Sequence, residues 1–394
     1  NDRRSFETML DKITLFRTTK RILFGSGSVE KLGPEAQLLK ARKVLIITDP
    51  GIIQSGLLAS VEKSLQSVDL PSVLFDGVEP DPRIEVVEKS VDLGKREKID
   101  LIIGFGGGSS LDIAKVTSVL ITNPGKIDNF FGIDLVPNSG VPVILVPTTA
   151  GTGSEVTPIA ILSDTKEKLK KGIVSPYLFP EVAILDPKLT IGLPPSVTAS
   201  TGMDALTHAI EAYYSVNATD LTDLLAFRAM ELISKNLRMA FAHGENLVAR
   251  SKMMEGSLLA GMAFANAGVG AVHAFAYPLG GEFHIPHGLA NTLMLSYVMR
   301  YNILGNPYRF AQMARAFGEK IEGFSDLDGA EMAVKFVEKL SDDIRVPRRL
   351  REVNIPEEAM PRLAESAMKV TRLLVNNPRK ITLEDAVAIY QSAY

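Results

Sequence analysis

The sequence predicts two domains: an N-terminal α/β domain on a mostly parallel sheet, residues 1–188, and an all-helical domain, residues 189–394. Three observations lead there. The chain has 394 residues, more than one hydrophobic core usually supports. Its first half carries six short apolar runs separated by polar stretches, and beyond about Asp186 such runs stop and long helical patterns take over.

The apolar runs are RILFGSG (21–27), KVLIITDPG (43–51), SVLFDGV (72–78), DLIIGFGGG (100–108), VPVILVPTT (141–149) and EVAILDP (181–187). They are apolar at nearly every position instead of alternating. That is the pattern of parallel strands covered by helices on both faces. RIEVVEKSVDLGKREKI (83–99) is one of the intervening helical stretches. Repeated strand-then-helix order implies right-handed crossovers and a doubly wound sheet. ILSDTKEKLKKGIVS (161–175) reads as a charged hairpin or loop with a solvated face. DPKLTIGLPP (186–195) supplies the turns at the domain boundary, and SVTASTGMDALTHAIEAYYS opens the helical half.

Composition closes several doors. Forty-three basic against 46 acidic side chains leave a net charge of −3, which argues against nucleic-acid or anionic-membrane partners. With no cysteine, disulfides, zinc ribbons, iron–sulfur clusters and thiolate catalysis are excluded. Any metal must be held by carboxylates and the five histidines. The start, NDRRSFETMLDKITLF, mixes both charge signs without an apolar stretch and is not read as a signal peptide. Together with the missing cysteines this points to the cytoplasm. Gly256 to Gly281 carries no charge but is dominated by Ala and Gly, and reads as a buried helix plus loop, not a membrane span.

Two loops could hold phosphate. GFGGGS follows an apolar strand and opens a helix near Ser109 or Ser110, where free backbone N–H groups and a positive dipole end await an anion. Ser109 could cap that helix or bind phosphate. PTTAGTGSE (147–155) follows another strand and offers the hydroxyls of Thr148, Thr149 and Thr152 beside Gly151 and Gly153. Both loops stand at carboxyl ends of strands in one open sheet, so both point at one crevice. The acidic candidate, Asp49, precedes the glycine loop, unlike the usual dinucleotide-binding order.

One constellation suggests a metal. Asp204 and His208 are four residues apart in a helical segment and share its face. His273, His284 and His287 crowd a segment broken by Pro278, Gly280, Gly281 and Pro286. A lone helical histidine is more often a hydrogen-bonded core residue. As a set, one carboxylate with two or three imidazoles suits Fe²⁺, Zn²⁺ or Mn²⁺. His243 is read as a surface residue.

GFGGGSSLDIAK, PTTAGTGSEVTP, TGMDALTHAIEAYYS and HAFAYPLGGEFHIPHG, in this order, resemble the iron-dependent (group III) alcohol dehydrogenases over nearly the whole chain, from about Thr14 on. The resemblance implies a dinucleotide-binding α/β domain, an all-α domain, and an active site between them, in a dehydroquinate-synthase-like architecture. It implies reversible hydride transfer between NAD and a small primary alcohol or diol, the metal polarising the substrate oxygen. Asp204, His208, His273 and His287 fall on the metal ligands, for Fe²⁺ or alternatively Zn²⁺. Gly107, Gly108 and Ser109 fall on the pyrophosphate loop, and Thr148, Thr149 and Thr152 on the second loop. Asp112 lies near the cofactor, with a plain ion pair to Lys115 as its alternative reading. Asp49 matches the acid on the ribose hydroxyls, and its charge would repel a 2′-phosphate, favouring NAD over NADP. Asp81 and Lys170 match weaker cofactor contacts, and Phe264 the substrate-pocket wall. Where many relatives carry a histidine that serves proton relay or substrate placement, this chain has Tyr277. Proton release would then run through water, ribose hydroxyls or His284, or need no relay; otherwise Tyr277 is a pocket wall. A homodimer or larger homo-oligomer is expected. The alternative activity is that of a glycerol-dehydrogenase-like or other dehydroquinate-synthase-superfamily enzyme with a different substrate.

Overall fold

The apolar runs become strands, the four central ones buried at every position and the two at the edges partly exposed. In the computed structural model, which describes residues 13–164 and 169–394, the elements of the first half are β1 (Arg21–Phe24), α1 (Leu32–Leu38), β2 (Val44–Ile47), α2 (Pro50–Gln54), α3 (Leu58–Gln66), β3 (Ser72–Phe75), α4 (Ile84–Glu97), β4 (Leu101–Gly106), α5 (Gly108–Thr122), β5 (Gly132–Ile133), β6 (Val143–Pro147), β7 (Ile159–Asp164), β8 (Leu169–Val174) and β9 (Val182–Leu185). The first twelve residues of the charged N-terminal stretch, and the tip of the charged hairpin at 165–168, lie outside the described residues.

Six strands form one parallel sheet in the order β1-β9-β6-β4-β2-β3. Alternate residues feed two cores. Leu45, Ile47, Ile102 and Leu145 pack on one face, and Val44, Ile46, Ile103, Phe105 and Ile144 on the other. In the four central strands both faces are covered, so nearly every position is apolar, which is why these runs are legible without alternation; the edge strands β1 and β3 begin on Arg21 and Ser72 and are partly exposed. From β3 the chain crosses back over β2 to form β4. The carboxyl ends of β2, β4 and β6 therefore lie side by side, where doubly wound sheets bind ligands. The charged segment is a hairpin, as read: β7 pairs antiparallel with β8, and β5 joins β8 in a small second sheet. Its face is not merely solvated, because the Lys170 side chain is only 7% exposed.

The second half is helical throughout: α6 (Pro195–Tyr214), α7 (Asp220–Ala242), α8 (Leu247–Ala267), α9 (Ala271–Phe283), α10 (His287–Asn302), α11 (Pro307–Phe317), α12 (Asp326–Asp343), α13 (Met360–Met368), α14 (Thr371–Leu374) and α15 (Leu383–Ala393). α6 is buried along nearly its whole length and packs against α7, α8 and α10. The uncharged stretch 256–281 is a helix, a turn and a second helix, bent by 103°. Among the described residues no single helix is long and apolar enough to cross a membrane. One expectation is corrected here. The segment around Pro278, Gly280 and Gly281 is not broken there, because α9 runs through all three. An interior proline costs a helix roughly 3 kcal/mol. Burial of Ala271 to Ala276 and of Leu279 offsets that cost.

Candidate metal centre and cofactor cleft

Three segments deliver the acid and the imidazoles. α6 presents Asp204, His208 and Glu211 on one face, His273 stands in the first turn of α9, and His287 is the first residue of α10. A Cβ on Gly288 would lie 2.4 Å from the backbone oxygen of Ser200, so only glycine lets the start of α10 reach α6 this closely. The ligand atoms of Asp204, His208, His273 and His287 all lie within 4.8 Å of one another. Asp204, His208 and His273 are buried, while His287 faces the cleft with a third of its side chain accessible.

The hydrogen bonds orient two of these rings. The His208 Nδ1 lies 3.3 Å from the Gly151 carbonyl oxygen, which can only accept, so Nδ1 carries the proton and Nε2 is left as a lone pair. The His273 Nδ1 donates to the Glu211 carboxylate at 2.5 Å. Glu211 also accepts the backbone N–H of Val272 (2.7 Å) and the Tyr214 hydroxyl (2.8 Å). The Asn291 amide nitrogen lies 2.7 Å from Asp204 Oδ1, 3.1 Å from His273 Nε2 and 3.2 Å from His287 Nε2. Three acceptors thus converge on one point, served by an amide with two hydrogens. The Asn291 Oδ1 is buried without a partner.

Burial lowers the His208 imidazole to about 4 and lowers His287 too, so both are neutral near pH 7. Burial alone would raise the Asp204 carboxyl, but the surrounding imidazoles and the Asn291 amide hold it below the usual carboxylate range. One carboxylate and three imidazoles gathered within 4.8 Å of one another, with no thiolate, fit a divalent ion of the Fe²⁺ or Zn²⁺ kind.

The cleft above this cluster has a volume of about 480 Å³, and its opposite wall is built from the start of α5, the loop at 152–157 and the small sheet of β5, β7 and β8. Gly107 opens α5 in extended backbone, and no side chain caps the helix, so the N–H groups there stay available. Ser109 therefore does not act as the cap; it lines the cleft together with Gly108 and Thr152. A Cβ on Gly108 would sit 2.6 Å from Thr152 Cγ2, so the two loops touch. Thr148 is buried and its N–H bonds the Gly106 carbonyl (2.9 Å), tying the loops together without entering the cleft wall. Thr149 stands half-buried beside Gly107. Asp49, at the end of β2, caps α2 through the Ile52 N–H (3.1 Å) and accepts from Ser110 Oγ (3.3 Å). Asp112 lines the cleft but accepts from Ser154 Oγ (2.6 Å) and the Ile161 N–H (2.9 Å), with Lys115 Nζ at 3.7 Å. Lys115 is fully buried, and burial lowers its ammonium to about 8. Asp81 and Lys170 form a 2.5 Å ion pair on the cleft wall.

On the helical side, the Phe264 ring stacks on His208 at 4.3 Å and 19°. The Tyr277 ring is 6.1 Å from that of His287, and its hydroxyl accepts from the Arg372 guanidinium (3.3 Å). Burial raises the Tyr277 phenol above its ordinary value. The structure does not bring His284 into the cleft: it is exposed, at φ 56°, as the residue that ends α9. His243 is exposed after α7. Sequence reasoning missed Glu211, Asn291 and Arg372. Glu211 continues the Asp204–His208 face and Asn291 follows His287 by one turn, so spacing could have flagged both. For Arg372 no signal in the sequence stands out.

Comparison with known proteins gives consistent results. Residues 19–187 match the family described as iron-containing alcohol dehydrogenase, and residues 198–394 match the Fe-containing alcohol dehydrogenase family, C-terminal. The chain is 43% identical over 373 residues to 1,3-propanediol dehydrogenase of Klebsiella pneumoniae, covering 94% of this chain and 96% of that protein. The crystal structure of a 1,3-propanediol oxidoreductase superposes with a TM-score of 0.95 at 42% identity, over 97% of this chain and 100% of that one. Sulfoacetaldehyde reductase from Bifidobacterium kashiwanohense, solved in complex with NAD⁺, superposes with a TM-score of 0.87 at 31% identity, over 97% and 99% of the two chains.

Proposed function

The chain belongs to the iron-containing alcohol dehydrogenase family, and on that premise we propose that it interconverts a small primary alcohol or diol and the corresponding aldehyde, using NAD and a divalent metal. The observation that carries the reading is the convergence of Asp204 Oδ1, His273 Nε2 and His287 Nε2 on one point at the foot of the cleft. Asp204, His208, His273 and His287 would hold Fe²⁺, with Zn²⁺ the alternative the donors allow. A bound ion supplies Lewis-acid polarisation of the substrate oxygen, and the nicotinamide supplies the hydride chemistry.

The chain's own residues do the rest. Gly107, Gly108 and Ser109 offer N–H groups to a pyrophosphate, with Thr148, Thr149 and Thr152 on the adjoining loop. Asp49 takes the ribose hydroxyls and repels a 2′-phosphate, which makes NAD the preferred cofactor. Asp81 and Lys170 close the cofactor side. Phe264 forms the substrate wall and fixes the plane of His208 by stacking on it. Tyr277 keeps its proton at neutral pH, since burial raises its phenol, so it orients by hydrogen bonding and carries no charge. Glu211 holds His273 in one tautomer. A cytoplasmic homodimer or larger homo-oligomer belongs to this reading; the cysteine-free sequence suits a reducing compartment.

The test is NADH formation over a panel of alcohols and diols, on protein loaded with Fe²⁺ or Zn²⁺ or stripped by chelator. Turnover with metal, and its loss by at least about 100-fold on stripping, is expected. Full activity in stripped protein removes the metal assignment, and no NADH from any alcohol in loaded protein removes the function.

A further inference from the structure

Two permanent cations line the cleft among the described residues, and they are not equivalent. Lys170 is neutralised by Asp81 at 2.5 Å. Arg372, on α14, has no carboxylate partner among the described residues; its side-chain bond runs to the neutral Tyr277 hydroxyl. The acids of the cleft are engaged elsewhere. Asp112 serves Ser154, Ile161 and Lys115, and Asp204 faces the imidazole cluster. The guanidinium lies against bare backbone, since a Cβ on Gly172 of β8 would be 3.4 Å from its Nη2. It has five N–H donors in a planar fork, and Tyr277 takes one of them.

Position matters as much as charge. Tyr277 reaches Arg372 with its hydroxyl while its ring lies 6.1 Å from the His287 ring. One tyrosine side chain therefore separates the uncompensated cation from the cluster that faces the reacting oxygen. A half-buried guanidinium without a counter-ion is a standing cost, which a bound oxyanion relieves with charge-assisted hydrogen bonds. We propose that Arg372 binds an anionic group on the substrate, so that the preferred substrates are short alcohols and aldehydes carrying a sulfonate or carboxylate at the end away from the reacting carbon. The inference rests on the dehydrogenase reading above and narrows its substrate class.

The experiment compares kcat/KM of the metal-loaded full chain for 2-hydroxyethanesulfonate and 3-hydroxypropanoate with that for 1-propanol and 1,3-propanediol. Wild-type protein favours at least one of the anions. Which one wins tells a tetrahedral from a planar oxyanion. In Arg372→Gln the anionic-to-neutral ratio falls about 10- to 100-fold, the range expected for losing hydrogen bonds to a charged partner. Arg372→Lys, which keeps the charge, retains most of the ratio. Independently of turnover, ethanesulfonate binds the wild-type protein in calorimetry, and its Kd rises by a similar factor in Arg372→Gln. Turnover of neutral alcohols with no anion preference overturns this inference and leaves the dehydrogenase reading standing, as does a ratio unchanged in Arg372→Gln. Absence of turnover with both classes overturns the two together.

Discussion

At the scale of single residues, Glu211 shows how much of the candidate centre lies behind the proposed ligands. Its carboxylate accepts the His273 Nδ1–H, the Val272 N–H and the Tyr214 hydroxyl, and it is fully buried. All three partners donate. A glutamine there keeps one acceptor oxygen and turns an NH₂ toward a donor. Removing such partners of metal-bound imidazoles commonly lowers metal affinity about 10- to 100-fold. Glu211→Gln is therefore expected to lose Fe²⁺ on dialysis against a competing chelator under conditions where the wild type keeps it. NADH binding, followed by fluorescence, should shift by less than about 3-fold, because Glu211 is not among the residues of the glycine loops. Unchanged metal retention would show that Glu211 merely fills the core. The histidines were legible in the sequence because they are few and clustered; Glu211 was not, because a carboxylate on a helix is usually just a solvated side chain.

At the scale of elements, legibility follows burial. The four central strands were readable because strands covered on both faces are apolar at nearly every position. The course of α9 was not, because Pro278, Gly280 and Gly281 argue locally for a break and only the tertiary burial of Ala271 to Ala276 overrides them. Lys170 was recognisable by resemblance alone, since nothing in a Lys-rich hairpin says which lysine turns inward. Two glycines separate the functions of these elements. In Gly108→Ala the new Cβ would lie 2.6 Å from Thr152 Cγ2, and Thr152 is pinned by the Ser154 N–H at 3.2 Å. The loops must part, so NADH affinity should fall about 10-fold, as expected for roughly 1.4 kcal/mol of lost contact, with metal content intact. In Gly288→Ala the clash, at 2.4 Å, is with the Ser200 backbone oxygen, which cannot rotate away. The first turn of α10 must move and take His287 with it. Alanine gains up to about 1 kcal/mol in helix propensity, but overpacking costs about 1–3 kcal/mol, so the urea midpoint falls and metal is lost. If both variants lost the same ligand, metal centre and cofactor loop would not be separable.

At the scale of the whole molecule, the sheet and the helices meet along residues 151–156. The Gly151 carbonyl orients His208 and a Cβ on Gly153 would touch the Gly261 Cα at 2.6 Å. The loop proposed to adjoin the cofactor therefore also sets the ring of a proposed metal ligand, so the α/β half and the helical half build the candidate site together. Glu155 lies buried in this junction, and burial pushes its carboxyl up to about 7, against the opposing pull of Lys115 on α5. A carboxyl near 4.5 in the unfolded chain loses its proton there long before it does in the folded one. The folded state holds the extra proton between those values, so raising the pH through the window favours unfolding. The contribution is fully present below about 4.5 and is lost as the pH passes about 7. Glutamine imitates the neutral carboxyl at every pH. Metal-free wild type should accordingly lose stability relative to Glu155→Gln between about pH 5 and 7.5, by on the order of 2 kcal/mol. Urea unfolding of both proteins across that range measures it. Parallel pH profiles would mean that Glu155 stays ionised in the junction, balanced by Lys115 within the α/β domain, and is not a buried neutral acid.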